Sequence, residues 1–223
     1  MIRLQYLFLV VYLSILTVSS AQDAEAPFAA DIRQFKVNDS INPPPEHAIL
    51  FVGSSSFTFW KDLQDYFPGY KIVNRGFGGS TLPDLIRYAE DVIIAYKPQQ
   101  IVIYCGENDL AASDTVTAEM VVERFRTLFS MIRVALPKVE ITYVSMKPSP
   151  SRWHLADNMK AGNEGIRKFL KSQKNTGFVN VWDSMLNKQG RPDGSLFLPD
   201  SLHMNANGYR IWQTSIKPEL INQ

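Results

Sequence analysis

The chain has 223 residues, 45% hydrophobic, 20% charged and 12% aromatic, the proportions of an ordinary globular domain large enough to bury a sizeable core. Its 23 basic and 22 acidic residues leave a formal net charge of +1, with no basic run of the kind that marks a nucleic-acid or anionic-membrane surface. The single cysteine, Cys105, excludes an internal disulfide framework and a thiolate metal cluster; set in an apolar, strand-like run, it reads as a buried, inert thiol.

The N-terminus opens with Arg3, continues as an apolar run over residues 4–18 and ends in small residues up to Ala21. This is the pattern of a secretory signal peptide cleaved after Ala21, and the run is shorter than the ~20 apolar residues a spanning helix needs. The expectation is a signal peptide over 1–21 and a secreted or periplasmic chain, with no stable membrane insertion after cleavage. Removing Arg3 leaves 22 basic and 22 acidic residues, a net charge of zero. Residues 22–46 are polar and proline-rich, with Pro43, Pro44 and Pro45 stopping any helix, and read as an N-terminal arm.

From His47 onward, short β-rich runs alternate with longer amphipathic ones. Strands are expected at 48–53, 70–76, 100–106, 140–146 and 178–183, each nearly continuous in apolar or β-branched residues, as strands covered on both faces should be. Helical patterns fall at about 57–67, 81–96, 117–136, 156–174 and 205–221. This alternation predicts right-handed crossovers and a central parallel sheet of about five strands in a three-layer α/β/α sandwich, flavodoxin-like, spanning 47–223 as one domain. In such sheets functional residues gather beyond the carboxyl ends of the strands.

Those ends are chemically rich. Strand one runs into "GSSS" (53–56), strand two into "NRGFGGST" (74–81) and strand three into "GENDLAAS" (106–113), while strand five leads to "LPDSLHMNANGY" (198–209). Together they supply hydroxyls, a glycine turn, the Asn108 amide, and Asp200 with His203 in a D-x-x-H spacing. Ester hydrolysis needs a nucleophile, a base, a group to orient the base, and donors for the oxyanion. A serine hydroxyl becomes a good nucleophile when an imidazole accepts its proton and a carboxylate fixes that imidazole's tautomer. Taken singly, each piece has a plainer explanation. Serines before a helix are commonly caps, and Asn108 could cap the next helix or form a turn with Asp109. The glycines of "GFGG" do not complete a dinucleotide fingerprint, because position 81 is Thr.

The four segments in order resemble the SGNH hydrolases, the GDSL esterase and lipase family, over most of the chain from about Ile49 to Trp212. The resemblance implies a three-layer α/β/α fold, with Ser55 as nucleophile, His203 as base and Asp200 as its orienter. It implies an oxyanion hole formed by the backbone N–H groups of Ser55 and Gly79 and the Asn108 side chain. The family's usual Asp between Gly and Ser is replaced by Ser54; the triad chemistry does not need it, because Asp200 supplies the carboxylate. Phe57 in place of a second glycine also departs from the G-x-S-x-G elbow and argues against the α/β-hydrolase fold.

The expected activity is hydrolysis of carboxylic esters with short or medium acyl groups, including acetyl esters, on a small-molecule, glycan or lipid substrate, with no metal and no cofactor. The family also contains lysophospholipases, thioesterases, carbohydrate O-acetylesterases and relatives of platelet-activating-factor acetylhydrolases, and "GFGG" with the compact length leans toward the last. An acyltransferase, or a non-catalytic glycan- or lipid-binding module, are the rival readings. Trp60, Trp182 and Trp212 read as core. Trp153 and His154, in the loop after strand four, are candidates for the pocket wall, and His47 reads as structural or exposed.

Overall fold

The computed structural model describes residues 25–222, so the expected signal peptide lies outside the described residues. In chain order they form α1 (Ala29–Ile41), β1 (Ile49–Gly53), α2 (Ser55–Thr58), α3 (Leu63–Tyr66), β2 (Ile72–Gly76), α4 (Leu82–Arg87) and α5 (Ala89–Val92). There follow β3 (Gln100–Tyr104), α6 (Glu107–Ala112), α7 (Ala118–Ala135), β4 (Glu140–Val144), α8 (Ala156–Lys171), β5 (Thr176–Val179) and α9 (Ala206–Ile216). All strand pairings are parallel, in the order β2-β1-β3-β4-β5, the flavodoxin-like order with its switch point between β1 and β3.

The apolar runs behave as two-faced strands. Leu50, Val52, Ile101, Ile103, Ile141 and Tyr143 face one core with Val121, Phe125, Leu128 and Ile166 from α7 and α8. Their sequence neighbours Ile49, Phe51, Val102, Tyr104 and Val144 face the other, against Phe57, Trp60, Phe67 and Trp212. The period of two sends alternate side chains into opposite layers, so every residue of β1 and β3 is buried. At roughly 1.5–3 kcal/mol for each large apolar side chain taken out of water, the two cores make the central strands the stable frame of the site. α7 is the clearest local case. Thr117 caps it, its hydroxyl accepting from Met120 N–H at 3.3 Å, and Val121, Phe125, Leu128 and Ile132 repeat at helical spacing on its buried face.

Four details differ from the sequence expectation, the first being that the helical pattern at 57–67 forms two separate short helices, α2 and α3. The arm contains the 13-residue helix α1; Tyr88 donates to the Pro27 carbonyl at 2.7 Å, and Arg75 and Tyr96 both bond Asp39. The pattern at 81–96 breaks at Tyr88 into α4, α5 and a 3-10 turn, Ile94–Tyr96. The last strand is Thr176–Val179 rather than 178–183, because the Asn180 side chain accepts from Trp182 N–H and turns the chain, and Val181 N–H goes to the Ser145 hydroxyl. Among the described residues no helix is long and apolar enough to cross a membrane.

Candidate active site

β1 ends at Gly53, whose φ of 145° lies where glycine is favoured and where an added Cβ would run into the Tyr104 carbonyl. Ser54 N–H then donates to that carbonyl at 3.1 Å, while the Ser54 carbonyl accepts from Phe57 and Thr58. This tight turn throws the three serines in different directions. Ser54 and Ser56 are buried, and Ser55, the first residue of α2, is only half-buried. Asn74 clamps α2 to β2, donating to the Phe57 carbonyl at 2.8 Å and accepting from Gly76 N–H at 2.9 Å.

Ser55 faces the loop after β5. Its Oγ lies 3.0 Å from Nε2 of His203, and Nδ1 of the same ring lies 2.6 Å from Oδ2 of Asp200. With Nδ1–H donating to the carboxylate, Nε2 is left as the acceptor for the Ser55 hydroxyl. The other Asp200 oxygen accepts from the N–H groups of Leu202 and His203, both at 2.9 Å, so the D-x-x-H spacing closes on itself as a small turn around left-handed Ser201 (φ 59°). Partial burial pushes the Asp200 carboxyl up, but the His203 side chain and these two N–H donors outweigh it and hold the group at about 2. The loop is pinned beyond the site as well: Leu198 N–H donates to the His203 carbonyl at 2.8 Å, and Asn205 caps α9 immediately afterwards.

The loop after β2 is tied to the end of β1, with Phe77 N–H and the Ser80 hydroxyl both donating to the Gly53 carbonyl, at 2.9 and 3.2 Å. Between them Gly79 (φ 86°) is exposed. Among the described residues the N–H groups of Ser55 and Gly79 donate to no partner. The Asn108 amide joins the same loop by donating to the Ser80 carbonyl at 2.9 Å. It sits in the first turn of α6 rather than at its cap, which is Gly106.

Apolar surface flanks these groups. The exposed Phe59 ring lies 4.4 Å, centroid to centroid, from the His203 ring. Beside the loop after β2, the ring of Phe28, from the arm, is 3.9 Å from where a Gly79 Cβ would stand, and packs edge-on against Phe77 at 5.3 Å.

Trp60, Trp182 and Trp212 are core. Trp153 stacks on Trp182 at 6.0 Å with Lys160 and Arg191 over it, and His154 is exposed. No hydrogen bond or ring contact joins either to Ser55 or His203 among the described residues. Cys105 is fully buried near the Ser80 carbonyl, and burial pushes its thiol well up. Sequence reasoning passed over Arg152, Glu107 and Lys147, which meet behind Asn108. The available signal was a lysine directly after the apolar run of β4, and an acidic residue inside "GEND".

The sheet order and the groups gathered on its carboxyl edge point to an ester-bond hydrolase as the class of protein. The chain belongs to the GDSL-like lipase/acylhydrolase family, whose model matches residues 50–211. Among solved structures it is similar to a Streptococcus pneumonia protein described provisionally as a platelet activating factor (TM-score 0.75, 21% identity, covering 86% of this chain and 92% of that one). It is also similar to a GDSL-like lipase from Bacteroides thetaiotaomicron (TM-score 0.72, 20% identity, 85% and 97%). An acetyl xylan esterase from Geobacillus stearothermophilus shares the fold more loosely (TM-score 0.64, 17% identity, 79% and 95%). No curated protein matches the chain by sequence.

Proposed function

We propose that the protein is an exported serine esterase that hydrolyses carboxylic esters of short acyl groups, acetyl esters of glycans among them, through an acyl-enzyme. The observation that carries the reading is the continuous contact from Ser55 Oγ through both ring nitrogens of His203 to Asp200. His203 Nε2 takes the Ser55 proton as Oγ attacks the acyl carbon; the resulting oxyanion is met by the N–H groups of Ser55 and Gly79 and by the Asn108 amide. The tetrahedral adduct collapses, the ester C–O bond breaks, and the departing alkoxide takes the proton from Nε2. Water then repeats the attack on the acyl-Ser55 ester with His203 again as base, releasing the acid and the free hydroxyl.

The similar acetyl xylan esterase supports the acetyl-glycan end of this range, and two structures of it are catalytic mutants, one with a serine and one with an aspartate changed to alanine. Phe59 beside the His203 ring and Phe28 beside Gly79 support an acyl group of limited size, since both add apolar bulk next to groups of the proposed site. Export rests on the N-terminal sequence pattern alone. The test is covalent labelling with a fluorophosphonate followed by peptide mass spectrometry. The adduct is expected on the peptide carrying Ser55, at that residue; an adduct on Ser54 or Ser56, or none on a folded and active protein, would overturn the assignment.

A further inference from the structure

Arg152 lies in the 3-10 segment after β4, Pro150–Leu155, where its own φ of −113° and ψ of 18° break the helical run. One of its terminal nitrogens, Nη1, donates both to Glu107 Oε1 at 3.1 Å and to Asn108 Oδ1 at 2.9 Å. The second Glu107 oxygen accepts from Lys147 Nζ at 2.9 Å and from the Tyr104 hydroxyl. The Glu107 and Lys147 side chains are 3% and 2% exposed. Burial pushes the Glu107 carboxyl up, but Lys147 and Arg152 outweigh it and hold it below its ordinary value, as a carboxylate. A buried ionic cluster of this kind is weak evidence for stability, since well-packed apolar side chains often serve as well or better. Its placement directly behind an oxyanion donor suggests another use.

The chemistry of the contacts settles which way the Asn108 amide points. A guanidinium only donates and a backbone carbonyl only accepts. With Oδ1 on Arg152 and Nδ2 on the Ser80 carbonyl, a flipped amide would set donor against donor and acceptor against acceptor. One Nδ2–H is thereby left over, in a fixed plane. A cation on Oδ1 also draws electron density from the amide and makes that remaining N–H a stronger donor.

We infer that Arg152, held by the buried Glu107 that Lys147 anchors from its other oxygen, is a positioning residue for the proposed reaction: it locks and polarises the Asn108 amide so that its free N–H meets the oxyanion. The inference rests on the esterase reading above. An interaction felt only in the transition state should change kcat and kcat/KM together and leave KM nearly alone. Displacing a reacting group by a fraction of its contact distance costs roughly 10- to 100-fold in rate.

The test is a double-mutant cycle on the full chain with p-nitrophenyl acetate. Arg152→Met, which keeps the apolar stem, is expected to lower kcat roughly 10- to 100-fold with little change in KM, and Arg152→Lys to recover part of the loss. In an Asn108→Ala background, Arg152→Met should have little further effect, because the group it positions is gone. Thermal melting of all five proteins separates loss of fold from loss of rate, and Arg152→Lys carries the comparison if the methionine variant melts early. The inference is overturned if folded Arg152→Met keeps the parent kcat, if its effect multiplies fully with that of Asn108→Ala, or if KM alone rises. Parent-like activity in Asn108→Ala itself would instead overturn the oxyanion reading on which the inference stands.

Discussion

At the scale of single residues, the proposed reaction needs Asp200 ionised. Two backbone N–H groups and the imidazole hold the Asp200 carboxyl at about 2, below the ordinary value of about 3.9. The sign follows for a depressed carboxyl: its contribution to stability is complete above about pH 4 and is lost as pH falls toward 2. Asp200 therefore does not titrate in the working range. With Asp200 out of the titration, the acid limb of kcat/KM is expected to follow a single ionisation; a limb steep enough to need two protons would show that a second group controls the site. Asp200→Asn keeps the shape but offers His203 Nδ1 an amide that can turn its donor toward the ring, which favours the wrong tautomer. Its kcat should drop about 10³- to 10⁴-fold, far more than a modest fall in melting temperature would explain, and a loss below tenfold would mean that another group orients the ring. The grouping of Ser55, His203 and Asp200 was legible because Asp200 and His203 sit three apart on one loop and Ser55 follows directly on an apolar strand. Arg152 was not, because its contact with Asn108 spans 44 positions and no local spacing announces it.

At the scale of elements, strand legibility came from burial on both faces, which writes continuous apolar runs into β1, β3 and β4. The same rule misplaced the last strand, since Val181 and Trp182 are apolar for loop packing after Asn180 has turned the chain. It also passed over α1, a helix with only one fully buried residue, Ile32, and hence no apolar stripe to read. The end of β1 has the least room for change. Gly53→Ala should destabilise the protein by about 1–3 kcal/mol from backbone strain alone, with more from collision with the Tyr104 carbonyl, read as a shifted urea midpoint; an unchanged midpoint would contradict the close approach of β1 to β3. The arm matters for another reason. Phe28, just ahead of α1, borders Gly79, so Phe28→Ala is expected to raise the rate on p-nitrophenyl hexanoate relative to acetate. An unaltered ratio would remove the arm from the acyl pocket.

At the scale of the whole molecule, the site exists only when the sheet is assembled. Ser55 and His203 are 148 residues apart in sequence, and the intervening loops reach one edge because every strand is parallel and β1 and β3 lie side by side at the centre. The fold class was readable from the alternation of runs, as was the family, because three motifs follow strand ends directly and the fourth, D-x-x-H, lies in the long segment between β5 and α9, all in the expected order. The substrate was not, because the apolar residues nearest the proposed site, Phe28 beside Gly79 and Phe59 beside His203, come from separate segments. The most direct test compares hydrolysis of p-nitrophenyl acetate and butyrate by the parent and by Ser55→Ala, with circular dichroism to show that both are folded. The account predicts turnover by the parent, faster on acetate, and a loss of at least about 10³-fold in the variant. Comparable turnover by folded Ser55→Ala would contradict it.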